Sequence, residues 1–257
     1  MSVTYVKEGE LEDKKKSTMI LGLPGVGKTR LAGTWPNPFF IDVDKGAASA
    51  HRGHVNRVEV DLDRGTRKSV IQILKKLNKQ EAENGVIHYD VAEGPTLEIG
   101  TVVIDTLDAI QKACKTFEIL GGKSNMSWDD YGRLLELMTE LMLEWNNLPC
   151  HIVVCGHTKQ REEEGERYGI ATIKLAGSLR DEVPDWFDVI LHVQAGQDGR
   201  RFVMSQPLVS RGVRYLAKDR HGLLTGLSNE KGFIELEDAG DGYPSSKIAD
   251  AICGKGE

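Results

Sequence analysis

The feature that most constrains this chain is an octapeptide near its start. Its residues are Gly22-Leu23-Pro24-Gly25-Val26-Gly27-Lys28-Thr29, which fit the pattern G-x-x-x-x-G-K-[ST] at every fixed position. The apolar run at residues 17–21 just before it predicts a short buried strand. In such a loop the glycines let consecutive backbone N–H groups point at phosphate oxygens, and a helix that starts after them adds its positive end. The order strand, loop, helix therefore predicts a phosphate-binding site.

Two side chains of the octapeptide are expected to act on a bound nucleotide. Lys28 would contact the β- and γ-phosphates, and the Thr29 hydroxyl would bind Mg²⁺. We therefore expect ATP and Mg²⁺ as cofactors. The residues expected to contact the nucleotide are Gly22, Pro24, Gly25, Val26, Gly27, Lys28, Thr29 and Arg30. The alternative is a glycine-rich turn that carries Lys-Thr by chance.

The composition excludes several classes of protein. Among 257 residues, 33 Lys and Arg stand against 39 Asp and Glu, which gives a net charge of −6. This balance argues against a nucleic-acid binder that is basic over its whole surface, but it permits a local basic groove. The longest apolar runs are too short to span a membrane, and the charged N-terminus has no apolar signal core. We expect a cytoplasmic protein with no membrane partner and, because its cysteines and histidines lack ligand spacing, no metal besides Mg²⁺.

Buried strands alternate with helices along the first part of the chain. Apolar runs predict strands at residues 39–41, 101–104 and 152–155, and apolar periodicity predicts helices at 66–84 and from Ser127 to about Trp145. This alternation is typical of a three-layer α/β fold with a mostly parallel sheet. Strands near residues 189–193, 202–204 and 213–217, and a hairpin at 158–174, are expected to add antiparallel strands at the edge. The predicted division is a polar lead-in at 1–16, an ATPase domain at 17–240 and a tail at 241–257.

A carboxylate ends the third predicted strand. The run Thr101-Val102-Val103-Ile104-Asp105 would place Asp105 at the carboxyl edge of the sheet, beside the phosphate loop. There it could hold Mg²⁺ through water, so we expect Asp105 and Thr29 to be the metal-binding pair. The alternative is an aspartate that caps the following helix, a role that Thr106 or Asp108 could share.

Hydrolysis also needs a group that orients or deprotonates the attacking water. The second strand is followed by Asp42 and Asp44, which would lie on the same side if the strand continued through both. Asp44 lies further out and is the candidate base, and Asp42 is the second choice. The alternative is a pair of solvated loop acids.

Three strings resemble those of the RecA/DnaB-like branch of phosphate-loop ATPases. The string at residues 40–44 resembles F-I-D-x-E of RecA-type recombinases, although Asp44 is one methylene shorter than their catalytic glutamate, which implies slower hydrolysis or a differently placed water. The strand ending at His157 resembles one whose last polar residue, usually Gln, senses the γ-phosphate. The string at residues 218–222 resembles K-x-R-x-G, in which the lysine and arginine contact the γ-phosphate of a neighbouring subunit. The resemblance implies catalytic roles for Asp44, His157, Lys218 and Arg220, and a homo-oligomer with active sites between subunits.

The chain also resembles a group of small phage proteins, the RecA-like single-strand-annealing ATPases of the Sak-four type. The resemblance covers roughly residues 17–225. Besides the phosphate loop, the shared features are Ile104-Asp105-Thr106, the Trp128…Tyr131 helix, Trp186-Phe187-Asp188-Val189 and Lys218-Asp219-Arg220. It implies an ATPase that acts on single-stranded DNA in annealing or recombination, in the host cytoplasm if the chain is phage-encoded.

In RecA-like proteins two loops facing a central axis hold the DNA, and they correspond here to residues 112–125 and 158–174. The basic and aromatic residues of these segments are Lys112, Lys115, Lys123, Lys159, Arg161, Arg167, Tyr168 and Lys174. Cations would neutralise phosphates and Tyr168 could stack on a base, but four glutamates in the second segment favour the alternative of a solvated hairpin. A further basic stretch (Arg64, Arg67, Lys68, Lys75, Lys76, Lys79) is expected to be an exposed helix face.

Two other functions stay open. The chain could be a nucleotide-gated switch that assembles or docks on a partner such as a single-strand-binding protein without hydrolysis, which Asp44 and the acidic net charge favour. It could also be a phosphate-loop kinase, although the glutamate-rich stretch at residues 162–166 would make a poor substrate lid.

Overall fold

A computed structural model gives the fold and describes residues 15–48, 50, 55–91, 94–162, 168–210, 212–237 and 245–254. Most of the predicted lead-in, Arg167 with its neighbouring glutamates, and both ends of the predicted tail lie outside these residues. The strands are β1 Ser17–Gly22, β2 Pro38–Asp42, β3 Asn56–Glu59, β4 Ala82–Glu83, β5 Val86–Asp90, β6 Thr96–Ile99, β7 Thr101–Asp105, β8 His151–Arg161, β9 Gly169–Ile173, β10 Val189–Ala195, β11 Arg201–Met204, β12 Leu208–Ser210, β13 Val213–Tyr215, β14 Lys218–Asp219 and β15 Phe233–Glu235. The α-helices are α1 Lys28–Ala32, α2 Thr66–Asn78, α3 Leu107–Ala113, α4 Trp128–Asn146, α5 Leu179–Glu182 and α6 Lys247–Cys253.

The central sheet is mostly parallel. Its parallel strands follow the order β3-β2-β7-β8-β1-β10, and β11 and β15 extend it antiparallel beyond β10. The outer part of β8 leaves this sheet and pairs antiparallel with β9, which is joined by β13 and β12. A small antiparallel sheet, β4-β5-β6, stands apart. The predicted parallel sheet with added antiparallel strands is confirmed.

Successive residues of the central strands face two different helical layers. In β1, Met19 and Leu21 belong to a core that contains Met138 of α4 and residues of α2 and α3, whereas Ile20 belongs to a second core with Leu31 of α1. Because side chains alternate across a strand, a strand buried on both faces is largely apolar along its whole length. The apolar runs of the sequence therefore correspond to a sheet with a helical layer on each side.

The predicted start of α4 is confirmed, but the predicted end of α2 is wrong. Ser127 Oγ accepts the Asp130 N–H at 3.2 Å while Asp130 Oδ2 accepts the Ser127 N–H at 2.9 Å, a reciprocal cap. Helix α2 ends at Asn78 rather than near Asn84. Asn84 and Gly85 take φ values of 50° and 77°, which a helix cannot accommodate but which the turn between β4 and β5 requires.

One residue of the basic stretch near α2 is buried, contrary to expectation. Arg67 is 4% exposed, and its guanidinium pairs with Glu118 at 3.1 Å and Glu140 at 2.6 Å. The pairs join α2 to the π-helical segment Cys114–Leu120 and to α4. The other cations of the stretch are exposed as predicted.

The division into domains stays a prediction, although the tail contributes to the core. Helix α6 buries Ile248, Ala249 and Ile252 in the same core as Leu31 of α1. Among the described residues, no helix combines the length and apolar character needed to cross a bilayer.

Burial of His192 in β10 predicts a loss of stability in mild acid. His192 is 2% exposed, and burial lowers the pKa of its imidazole from 6.5 to about 4. Between those values the unfolded chain binds more protons, so the free energy of unfolding falls as the pH falls, by about 2 kcal/mol between pH 7 and pH 5. Urea unfolding at both pH values measures this loss.

The variant His192→Phe provides the control for this titration. Nδ1 of His192 has no hydrogen-bond partner among the described residues, and the ring lies edge-on to Tyr215. A phenyl ring keeps the aromatic contact and loses only the hydrogen bond with the Leu216 backbone, a loss that is the same at both pH values. His192→Phe should lose about 2 kcal/mol less than the natural chain over the same pH change. Equal losses in the two proteins would show that His192 does not cause the acid sensitivity.

Candidate functional site

The carboxyl ends of the parallel strands bring the predicted residues to one edge of the sheet. Gly22 of β1 lies opposite His157 of β8, and Asp42 of β2 lies opposite Asp105 of β7. A cavity of about 350 Å³ opens at this edge. Its lining residues are Pro24, Gly25, Gly27, Lys28, Thr29, Arg30, Asp44, Gly46, Asp105, Thr106, His157 and Arg201.

The octapeptide forms the predicted loop between β1 and α1. Gly27 precedes the helix with a φ of 101°, in the left-handed region that favours glycine. A Cβ atom on Gly22 would lie 2.7 Å from the carbonyl oxygen of Val193, so the loop packs tightly against β10. The Lys28 side chain is buried and its Nζ donates to the carbonyls of Gly22 at 3.3 Å and Leu23 at 3.1 Å. Lys28 is thus held against the loop whose N–H groups would bind phosphate.

The two predicted metal ligands are in direct contact. Thr29 Oγ1 donates to Asp105 Oδ2 at 2.7 Å, and Asp105 is 2% exposed. Burial raises the pKa of Asp105 to about 6, and the nearby Asp42 carboxylate adds to the rise, whereas Thr29 and Lys28 oppose it. A buried carboxylate of this kind gains from a nearby cation, and a hydroxyl beside it offers a second oxygen ligand. Thr29 and Asp105 therefore fit a Mg²⁺ ion that accompanies a nucleotide.

Asp42, the last residue of β2, and Asp44 do not lie on the same side of the strand, because the strand ends at Asp42 and the chain bends after it. Asp42 is 1% exposed, and its two carboxylate oxygens accept the N–H groups of Gly46 and Ala47 at 3.0 Å. Asp42 therefore holds the loop in place and is a poor candidate base. Asp44 is exposed, and its backbone N–H donates to the Asp105 carbonyl at 3.1 Å, so its side chain lines the cavity. Its role as base stays a prediction.

His157 lies in the cavity and is held by an aspartate. Asp108, in the first turn of α3, accepts the backbone N–H of His157 at 2.9 Å and lies 2.9 Å from its Nδ1. Burial alone would raise the pKa of Asp108, but the hydrogen bonds from His157 hold it below its ordinary value. The sequence indicated Asp108 only as a helix cap, whereas its carboxylate connects β8 to α3.

Lys218 and Arg220 lie at the opposite edge of the sheet. Lys218 begins β14 and Arg220 directly follows it, and β14 pairs with the first two residues of β10. The Arg220 guanidinium lies 3.2 Å from Asp188, which also accepts the Ser17 hydroxyl at 2.9 Å, and Lys218 Nζ donates to the Pro184 carbonyl at 3.3 Å. Ser17 begins β1, and the phosphate loop starts at the other end of this strand. The structure therefore does not bring these cations to the cavity of their own chain, and their role in a neighbouring subunit stays a prediction.

Sequence reasoning missed three residues that line the cavity, Gly46, Thr106 and Arg201. Thr106 is 2% exposed, and its hydroxyl has no hydrogen-bond partner among the described residues. Arg201 enters the cavity from β11. Thr106 could have been found by its position next to Asp105, but no motif surrounds Arg201, whose placement depends on an antiparallel strand pairing.

A hydrogen bond joins two residues that flank the two predicted DNA segments. The hairpin at residues 158–174 is formed by β8 and β9, and beyond it the Ala176 N–H donates to Gln111 Oε1 of α3 at 2.8 Å. The first segment continues α3 and leads to Trp128, which begins α4 and is 92% exposed. Exposed cations of the two segments are Lys112, Lys123, Lys159 and Lys174.

Comparisons with known proteins agree with the geometry of the cavity. A family model described as an AAA domain matches residues 14–221. That range holds the phosphate loop, Asp105 and His157, and it covers well over half of the chain. A search of curated proteins finds no match. The chain therefore belongs to the AAA domain family and carries a phosphate-loop ATPase-type domain.

Proposed function

We propose that this chain is a Mg²⁺-dependent ATPase that acts on single-stranded DNA in annealing or recombination, like the small phage RecA-like proteins that it resembles. The observation that carries the ATPase part is the 2.7 Å contact between Thr29 and Asp105, directly below the phosphate loop. A hydroxyl, a buried carboxylate and a loop lysine at the carboxyl edge of a parallel sheet are the parts that phosphoryl transfer requires.

Five side chains that line the cavity act in the proposed hydrolysis. Lys28 binds the β- and γ-phosphates, and Thr29 and Asp105 hold the metal. Mg²⁺, when bound, neutralises charge that develops on the phosphate oxygens. Asp44 accepts a proton from the attacking water, and His157, oriented by Asp108, contacts the γ-phosphate.

The proposed assembly is a homo-oligomer with active sites between subunits. Lys218 and Arg220 lie at the amino edge of the sheet, across the length of β1 from the phosphate loop. A strand of six residues spans roughly 20 Å. These cations therefore cannot reach the nucleotide of their own chain, and we propose that they act on one that a neighbour binds.

Support for DNA binding comes from the segment that follows α3. His157 in the cavity is bonded to Asp108 of α3, and α3 continues into the segment that ends at Trp128. A solvent-exposed indole that follows a segment with the exposed lysines Lys112 and Lys123 is suited to stacking on unpaired bases while the lysines neutralise phosphates. Contact between His157 and the γ-phosphate would then be transmitted to the DNA-binding segment through α3.

Removal of the Trp128 indole is expected to weaken DNA binding. Trp128→Ala should reduce affinity for a fluorescent oligothymidylate roughly tenfold in the presence of Mg²⁺ and ATP, because stacking on an aromatic ring contributes about 1–3 kcal/mol per base. Fluorescence anisotropy measures the affinity. The matched control is Leu143→Ala, which removes an apolar side chain, 51% exposed, from the same helix. If both variants bind DNA equally well, Trp128 is not a stacking residue.

Steady-state ATP hydrolysis with and without single-stranded DNA tests the proposed function. DNA-stimulated turnover that is lost in Lys28→Ala supports it. Turnover that does not change when DNA is added would leave an ATPase without DNA coupling.

The second candidate function is a nucleotide-gated switch. It is favoured because the Asp42 carboxylate is bound to the loop and only the short Asp44 is left as a base. The switch predicts tight nucleotide binding and nucleotide-dependent oligomers with negligible turnover.

A further inference from the structure

Arg201 enters the nucleotide cavity from a strand that carries no nucleotide-binding motif. It is the first residue of β11 and lies opposite Ala195, the last residue of β10. Strand β10 in turn pairs with β1, whose carboxyl end leads into the phosphate loop. Two strand pairings thus bring Arg201 to the carboxyl edge of the sheet, where it lines the cavity.

The side chain of Arg201 lies directly against the phosphate loop. Its Cδ and Nε atoms are 3.2 Å from the position that a Cβ atom would take on Gly27. Any side chain at Gly27 would crowd the arginine, and the φ of 101° at Gly27 already favours glycine. The loop and the arginine are therefore fitted to each other at the start of α1.

Arg201 and its neighbour Arg200 differ in their ion pairs with carboxylates. Arg200 is bound at the surface by Asp198 at 2.6 Å and by Glu235 at 3.5 Å. Arg201 forms no ion pair with a carboxylate among the described residues, and it shares its cavity with Lys28. Two cations at one cavity repel each other, and an anion bound between them is stabilised by both.

We infer that Arg201 binds the α- and β-phosphates of the nucleotide held by its own chain. The N–H groups of a phosphate loop cradle the α- and β-phosphates, and Arg201 lies beside this loop at Gly27, directly before α1. A guanidinium can donate two parallel hydrogen bonds to phosphate oxygens, which suits this position better than an ammonium. Arg201 thus acts in the same subunit, whereas Lys218 and Arg220 are proposed to act on a neighbour. The inference rests on the nucleotide binding of the proposed function, but not on hydrolysis or DNA.

Isothermal titration with Mg²⁺-ATP and with Mg²⁺-ADP, without DNA, tests the inference. Arg201→Ala should lose about tenfold or more in affinity for both nucleotides, since a charge-assisted hydrogen bond contributes roughly 1.5–3 kcal/mol. Arg201→Lys should recover part of the loss, because it restores the charge without the fork. Arg200→Ala is the matched control and should bind both nucleotides like the natural chain. Thermal unfolding without nucleotide should be similar in the three variants, and Arg201→Lys keeps the test valid if Arg201→Ala is unstable.

Several outcomes would overturn the inference. Equal affinities of Arg201→Ala and Arg200→Ala would show that Arg201 does not bind phosphate. A loss for ATP without a loss for ADP would place the guanidinium at the γ-phosphate instead. A natural chain that binds neither nucleotide would refute both the inference and the proposed function. A natural chain that binds both nucleotides but hydrolyses no ATP would refute the proposed ATPase and leave the Arg201 result valid.

Discussion

Replacement of Lys28 by alanine is expected to abolish ATP hydrolysis, with a fall in kcat/KM of about 10³-fold or more. The Lys28 ammonium is buried against the carbonyls of Gly22 and Leu23, so its charge is fixed where the β- and γ-phosphates would lie. A fixed charge in a site shielded from water stabilises the transition state more than a mobile surface charge does. Steady-state release of inorganic phosphate measures the effect.

The matched control for this variant is Lys75→Ala. Lys75 lies on α2, is half exposed and pairs with Glu144 at 3.3 Å, so its removal takes away one positive charge far from the cavity. Lys75→Ala should hydrolyse ATP at the natural rate. Hydrolysis that persists in Lys28→Ala would contradict the assignment of the cavity as the ATPase site, provided that the variant keeps the natural unfolding midpoint in urea.

Replacement of Asp44 by asparagine is expected to lower kcat by about 10²–10⁴-fold while affinity for Mg²⁺-ATP stays unchanged. An amide cannot accept a proton from water, but it keeps the size and polarity of the side chain. Single-turnover hydrolysis, together with nucleotide titration, separates the two effects. Asp44→Glu should hydrolyse at least as fast as the natural chain, because it restores the length of the recombinase acid.

Asp42→Asn is the informative counterpart of Asp44→Asn. Both oxygens of Asp42 accept backbone N–H groups, and an asparagine would turn its NH₂ group toward one of these donors. We expect Asp42→Asn to lower the free energy of unfolding by about 1–3 kcal/mol. A natural hydrolysis rate in Asp44→Asn would show that Asp44 is not the base.

The strands and the phosphate loop were predictable because local signals and tertiary packing agree there. Every residue of β7 is buried, and the three residues between Thr101 and Asp105 are apolar, as a strand covered on both faces favours. The reciprocal cap at Ser127 required only local contacts. In the same way, the contact between Thr29 and Asp105 follows from the rule that parallel strands end at one edge.

Other features depended on contacts that no local pattern encodes. Arg67 is buried because its guanidinium pairs with two glutamates on other elements, and no pattern in the sequence around Arg67 indicates these partners. A bend in the chain separates Asp42 from Asp44. At this bend the Asp42 carboxylate accepts the backbone N–H groups of Gly46 and Ala47. Arg201 reaches the cavity through antiparallel pairing across β10, and such pairing is decided by topology rather than by neighbouring residues.

The nucleotide cavity lies at one end of the sheet, and Lys218 and Arg220 lie at the other end. This placement has a stoichiometric consequence for the proposed assembly. An interface that joins the head of one subunit to the tail of the next is heterologous, so it generates either a closed ring or an open filament. In an open filament one terminal subunit receives no cations from a neighbour, so the number of complete sites is one fewer than the number of subunits. The specific activity per subunit should then rise with protein concentration and level off as filaments lengthen, whereas a ring would lose whole sets of sites when it dissociates.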